Sequence, residues 1–199
     1  KMKKGRLEAF SDGVLAIIIT IMVLELKVPH GSSFADLKPL LPVFGSYVLS
    51  FVYIGIYWNN HHHLIHTFQK VSGGILWANL HLLFWLSMVP FATAWMGENN
   101  FAASTLALYG IVMLMCAIAY TILQVTIVST HGRSSVLARA LGKDMKGKIS
   151  LAAYLAAIPG AFFSPWISMA LFILVALMWL VPDKRIEQAL REFEEAEDK

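Results

Sequence analysis

One carboxylate constrains this chain more than any other feature. Asp12 closes the stretch Arg6-Leu7-Glu8-Ala9-Phe10-Ser11-Asp12, which runs straight into the apolar segment Gly13–Leu24. A cation, an aromatic ring, a hydroxyl and an acid thus open a helix of membrane length. An ionisable group inside a membrane span costs about 2.5–3.5 kcal/mol on insertion scales and normally faces a partner or water. Either Asp12 has such a partner, or it rests with Arg6 in the headgroup layer.

The remaining composition points to lipid as the solvent. Of 199 residues, 57% are hydrophobic and only 15% charged, against about 25% charged in soluble domains. The predicted fold class is an all-α, polytopic membrane protein. Cys116 is the single cysteine, so no intrachain disulfide can form. The basic start leads into a span without a small-residue cleavage site, so that span is expected to be retained.

About 20 apolar residues cross the hydrocarbon. Six segments qualify: Leu7–Val28, Leu40–Trp58, Ile75–Met96, Phe101–Ser129, Ile149–Phe163 and Pro165–Val181. Pro29, Pro39 and Pro42 punctuate the first connection, and Gly97-Glu98-Asn99-Asn100 makes a tight turn. The last two segments are short, joined by Ser164-Pro165, and Pro159-Gly160 weakens the first of them. They form either two spans or a hairpin that crosses incompletely. Residues 1–182 therefore read as one six-helix transmembrane domain. Residues 183–199 read as a charged cytoplasmic helix with Ile186, Ala189, Leu190 and Phe193 on one stripe. All Lys and Arg except Lys27 and Lys38 fall on one side of this topology, which places both termini in the cytoplasm. No internal repeat is visible, so a symmetric pore would require several copies.

On a wheel of 100° per residue, Val14, Ile17, Ile21 and Leu24 form one stripe flanked by Gly13 and Thr20. Asp12 lies about 140° from Ile17. If the stripe faces a symmetry axis, Asp12 turns back into its own subunit and locks the helix. If Asp12 faces an aqueous path, the stripe faces lipid. Residue types alone favour lipid or core for such a stripe.

Partners for the acid lie in the next two spans. Trp58-Asn59-Asn60-His61-His62-His63 ends the second, and Asn79, His81 and Ser87 interrupt the third. Buried polar groups need partners, and a shared network at the cytoplasmic ends of spans one to three satisfies them. Adjacent histidines point 100° apart on a helix, so the three cannot share one metal ion, whereas His62 and His66 at i, i+4 could. Structural hydrogen bonding is the favoured role, with no metal and no cofactor expected. Met113, Met115 and Cys116 are spaced as ordinary apolar packing. No Gly-rich phosphate loop, HExxH, GxSxG or cysteine pair is present, so an enzyme is not expected. The potassium-filter sequence Thr-Val-Gly-Tyr-Gly is also missing.

Arg6-x-x-x-Phe10-Ser11-Asp12 followed by Gly13-Val14-x-Ala16-Ile17 closely resembles the signature of the lysosomal-type potassium channels, the transmembrane protein 175 family. Trp58-x-x-His61-His62 and Asn79-Leu80-x-x-Leu83-Phe84-x-x-Ser87-x-x-Pro90-Phe91 resemble its other landmarks. The likeness covers Arg6 to Phe91 by motif and the whole chain by layout. A single repeat implies a prokaryotic, inner-membrane member that assembles as a homotetramer with its first helix around a central pore. The resemblance further implies a constriction of aliphatic side chains at Ile17, continued by Ile21 and Leu24. It makes Thr20 a polar pore-lining residue and gives Arg6, Phe10, Ser11 and Asp12 structural roles, with His61, Asn79 and His81 in the same network. Potassium ions, lipid and further copies of the chain are the expected partners; nucleic acid is not. Glu25, near the outer end, either draws cations to the mouth or is simply a solvated helix end. The expected function is a modestly selective potassium-permeable channel. A proton- or cation-coupled carrier using Asp12 and the histidines is the alternative, and a haem- or metal-handling protein using His61, His62, His66 and His81 is a third reading.

Overall fold

A computed structural model describes residues 3–132, 137–138 and 144–181. The predicted charged helix over 183–199 lies outside the described residues. Helix α1 spans Lys4–Leu24. It has no internal proline, and its buried stripe Leu7, Ser11, Leu15, Ile18 and Met22 recurs at helical spacing. A short 3-10 helix, Phe34–Leu40, follows the first connection. There the Asp36 carboxylate accepts from the Ser33 amide at 2.9 Å and hydroxyl at 2.8 Å.

Helix α2 spans Leu41–His66, with Pro42 in its first turn where no amide partner is needed. The sequence reading ended this span at Trp58, where hydropathy falls. The helix instead continues for two more turns, because a drop in hydropathy removes lipid exposure without breaking backbone hydrogen bonds. The histidine run is consequently helical. The third span is interrupted at Met88: α3 spans Gly73–Ser87 and α4 spans Val89–Glu98. Pro90 lies in the first turn of α4, lacks an amide and crowds the preceding turn.

Helix α5, Ala103–His131, has 29 residues, about 43 Å of helix, more than the hydrocarbon thickness of about 30 Å. Helices α6, Met145–Phe163, and α7, Pro165–Leu180, form a hairpin through extended Ser164. The Ser168 hydroxyl donates across it to the Ala157 carbonyl at 2.6 Å. Their 19 and 16 residues measure about 28 and 24 Å, close to but below hydrocarbon thickness. Pro159 is accommodated within α6 without ending it. Among the described residues, four stretches are long and apolar enough to cross a membrane: Lys4–Leu24, Phe34–His66, Gly73–Glu98 and Ala103–His131. With the hairpin they give the expected all-helical layout of six segments.

Polar side chains join the helices where lipid provides no hydrophobic drive. Thr93 of α4 donates to Ser50 of α2 at 2.6 Å, and Ser50 lies 3.0 Å from the Tyr109 hydroxyl of α5. Tyr53 donates to the Phe172 carbonyl of α7 at 2.6 Å. Helices α2 and α4 approach closely at Gly97, where a Cβ would stand 2.7 Å from Val43 Cα. Backbone cannot yield as a side-chain tip can, so Gly97→Ala should cost about 1–3 kcal/mol. Thermal melts in detergent should show a lower Tm for Gly97→Ala and an unchanged one for Gly73→Ala, whose Cβ meets nothing within 4 Å.

Candidate pore helix and its anchoring network

Helix α1 has two contrasting faces. Leu7, Ser11, Leu15, Ile18 and Met22 are buried against the bundle. Phe10, Ile17, Thr20, Ile21 and Leu24 are exposed, Ile17 at 59% and Leu24 at 75%. Thr20 donates its hydroxyl hydrogen to the Ala16 carbonyl at 2.7 Å, so its oxygen has only acceptor capacity left. Val14, Ile17 and Ile21 form one wall of an open groove of about 630 Å³. The opposite wall comes from α4, with Pro90, Phe91 and Trp95, and Glu25 and Glu98 also line it. Glu98 is bridged to Lys27 at 2.8 Å, which holds the Lys27 ammonium above its usual pKa through that hydrogen bond and charge.

The buried face is fixed by a directional relay. Ser11 donates to the Leu7 carbonyl at 2.9 Å, so its oxygen must accept the remaining bond. Asn79 Nδ2 of α3 supplies it at 2.9 Å. The amide oxygen of Asn79 therefore faces His61 of α2, 2.7 Å from Nε2. An amide oxygen only accepts, so His61 carries its proton on Nε2. The residues Ser11, Asn79 and His61 are each at most 2% exposed. Three helices are thus joined by one chain of bonds from the α1 backbone to the α2 imidazole. The other imidazole nitrogen, Nδ1, is buried without a hydrogen-bond partner among the described residues.

Asp12 lies beside this relay and accepts from Trp58 Nε1 at 3.1 Å. The sequence offered histidine and asparagine donors for this acid; the indole fills that role instead. His81 accepts from Trp85 Nε1 at 3.0 Å, one turn along its own helix, and Ser87 donates back to the Phe84 carbonyl. Arg6 and Phe10 are exposed, and Arg6 forms no ion pair among the described residues. Glu8, passed over in the sequence, faces both His62 and His66. Its signal was an acid one turn before Asp12 on the same helix.

Residues 6–90 match the sequence model of a family described as the endosomal/lysosomal potassium channel TMEM175. The matched region holds every residue of the relay and the exposed stripe of α1. A protein named as a potassium channel from Chryseobacterium sp. (strain P1-3) is 60% identical over 191 residues, covering 96% of this chain and all of the relative. The chain belongs to the TMEM175 family. Another relative named as a potassium channel, from Streptomyces collinus, is 36% identical over 126 residues, 59% of this chain and 61% of its own. The fold of this TMEM175-family chain also matches a crystal structure described as a lysosomal potassium-selective channel TMEM175 homolog from Chamaesiphon minutus. The TM-score is 0.79 at 29% identity, over 90% of this chain and 97% of the other.

The relay generates a direct prediction. Asn79→Leu keeps the branching and heavy-atom count of the side chain but leaves the acceptor oxygen of Ser11 and the Nε2–H of His61 without their partners in a buried site, at a cost of about 1–2 kcal/mol. Melting in detergent should show the loss. Ser11→Ala combined with Asn79→Leu should cost less than the two single changes added together, because the second removes a group already orphaned.

Proposed function

We propose that this chain is a subunit of a homotetrameric, potassium-permeable channel whose first helix surrounds the pore. The observation that carries the reading is the division of α1: its polar network pins one face inward and leaves Ile17, Thr20, Ile21 and Leu24 on the other. One helix cannot enclose a path, and cyclic symmetry is the usual way identical subunits surround an axis. Four copies of the stripe would make a neck at Ile17, with Ile21 and Leu24 extending it and Thr20 offering its hydroxyl oxygen to ions. Potassium holds its water less tightly than sodium, so a dry neck favours it modestly without carbonyl coordination. The same constriction can gate by dewetting.

In this arrangement Asp12 and Arg6 are structural, with Asp12 held off the axis by Trp58. Residues 1–182 form the channel domain and 183–199 a cytoplasmic tail. The chain resides in a bacterial inner membrane with both termini inside, as its Lys and Arg distribution supports, and it performs no enzymatic step. The relatives named as potassium channels favour this reading over a coupled carrier.

Ile17 variants test it. Ile17→Asn should raise unitary conductance and lower the potassium-to-sodium permeability ratio in bilayer recordings; unchanged currents would move the neck elsewhere. Ile17→Cys in a Cys116→Ser background should cross-link between subunits. Native mass measurement should find about four chains, whereas a monodisperse monomer would exclude the shared pore.

A further inference from the structure

At the motif-bearing end of the bundle, three side chains converge that neither the anchoring relay nor the pore stripe uses. Glu8 Oε1 of α1 lies 3.4 Å from His62 Nδ1 and 3.4 Å from His66 Nε2 of α2. All three ligand atoms lie within 4.8 Å of one another. The helical extension of α2 past Trp58 creates the pair, because residues four apart share one face.

The distances suit a bridged arrangement better than a direct one. Charge-assisted hydrogen bonds between nitrogen and carboxylate run about 2.7–2.9 Å. Both contacts here are longer. Zinc bonds of about 2.0–2.1 Å in a tetrahedron set neighbouring ligand atoms about 3.3–3.4 Å apart. Two edges of the Glu8, His62 and His66 triangle already have that length, and the third needs at most a side-chain rotation.

We propose that Glu8, His62 and His66 form a binding site for a divalent transition metal of the zinc class, clamping the start of α1 to the end of α2. The donor set of two imidazoles and one carboxylate suits zinc and its neighbours rather than potassium, magnesium or calcium. Three protein ligands leave a fourth position for water. That position is reachable, since the His62 and His66 side chains are 45% and 44% exposed. Glu8, at 23%, is the most shielded of the three and the one contributed by α1. A bound ion therefore ties the pore-stripe helix to its neighbour at a point one turn before Asp12. The site stands independently of conduction, because binding is measured on the purified protein.

The test uses the full chain without an affinity tag, dialysed against zinc chloride and analysed for metal. About one zinc per chain is expected, with the Tm raised by zinc because the ion binds only the folded site. Cobalt chloride in place of zinc should give the visible absorption of a tetrahedral ion. Glu8→Gln, His62→Gln and His66→Gln should each lose the bound zinc, the cobalt bands and the Tm shift, while keeping the metal-free Tm. Asn59→Ala, outside the triad, should keep all three. Zinc retained at the same stoichiometry in the triad variants would overturn the site, as would a wild-type protein that takes up none. If one variant fails to fold, the other two decide, since each removes a different ligand.

Discussion

The amide of Asn79 is the interaction on which the rest of the arrangement depends. It hydrogen-bonds α1 and α2 at once, donating to Ser11 and accepting from His61. Each bond fixes the direction of the next, back to the Leu7 carbonyl. An amide can satisfy both neighbours in only one orientation, so the relay fixes the rotation of α1 as well as its contact. With that rotation fixed, Ser11, Leu15 and Ile18 must face inward and Ile17, Ile21 and Leu24 outward. A purely apolar interface would bind the helices without choosing among rotations a few tens of degrees apart, because aliphatic side chains and lipid tails are equivalent neighbours.

Two layers of polar contact surround the relay and do different work. Beside it, the Trp58 indole N–H gives the Asp12 carboxylate a donor without a second charge. Farther out, Glu8 meets the paired imidazoles in a solvent-reachable position. On the opposite end, Lys27 and Glu98 bridge the first connection to α4. These exposed charges add little stability, but they border the groove beside Ile17 and Ile21. The inner layer sets the helix geometry, and the outer layers are where ions and solvent reach it.

Much of this was legible in the sequence because lipid makes polar residues conspicuous. Ser11, Asp12, His61 and Asn79 stand out in apolar runs, and three of the four meet in one relay. Helical spacing alone sets Asp12 about 140° from Ile17. Other features were hidden for identifiable reasons. Trp58 donates through one nitrogen on a large apolar ring, so composition counts it as an interfacial residue rather than a partner. His81 lies two residues beyond Asn79, about 200° around the helix, so residue type suggested a shared network that direction forbids. The C-terminal end of α2 lies beyond the expected Trp58, and the interruption at Met88 was not foreseen, because hydropathy reports lipid contact, whereas helix limits follow backbone bonding. Glu8 was invisible as a ligand until α2 was seen to continue through His66.

A channel of this kind conducts potassium through an open pore rather than carrying it by a cycle of conformations. Reconstitution of the purified wild-type protein in planar bilayers, with potassium chloride on one side and sodium chloride on the other, tests it most directly. Discrete unitary current steps are expected, with a reversal potential displaced from zero in the direction of modest potassium preference. Slow, saturable flux without unitary steps, or a reversal potential at zero under the same gradient, would contradict it.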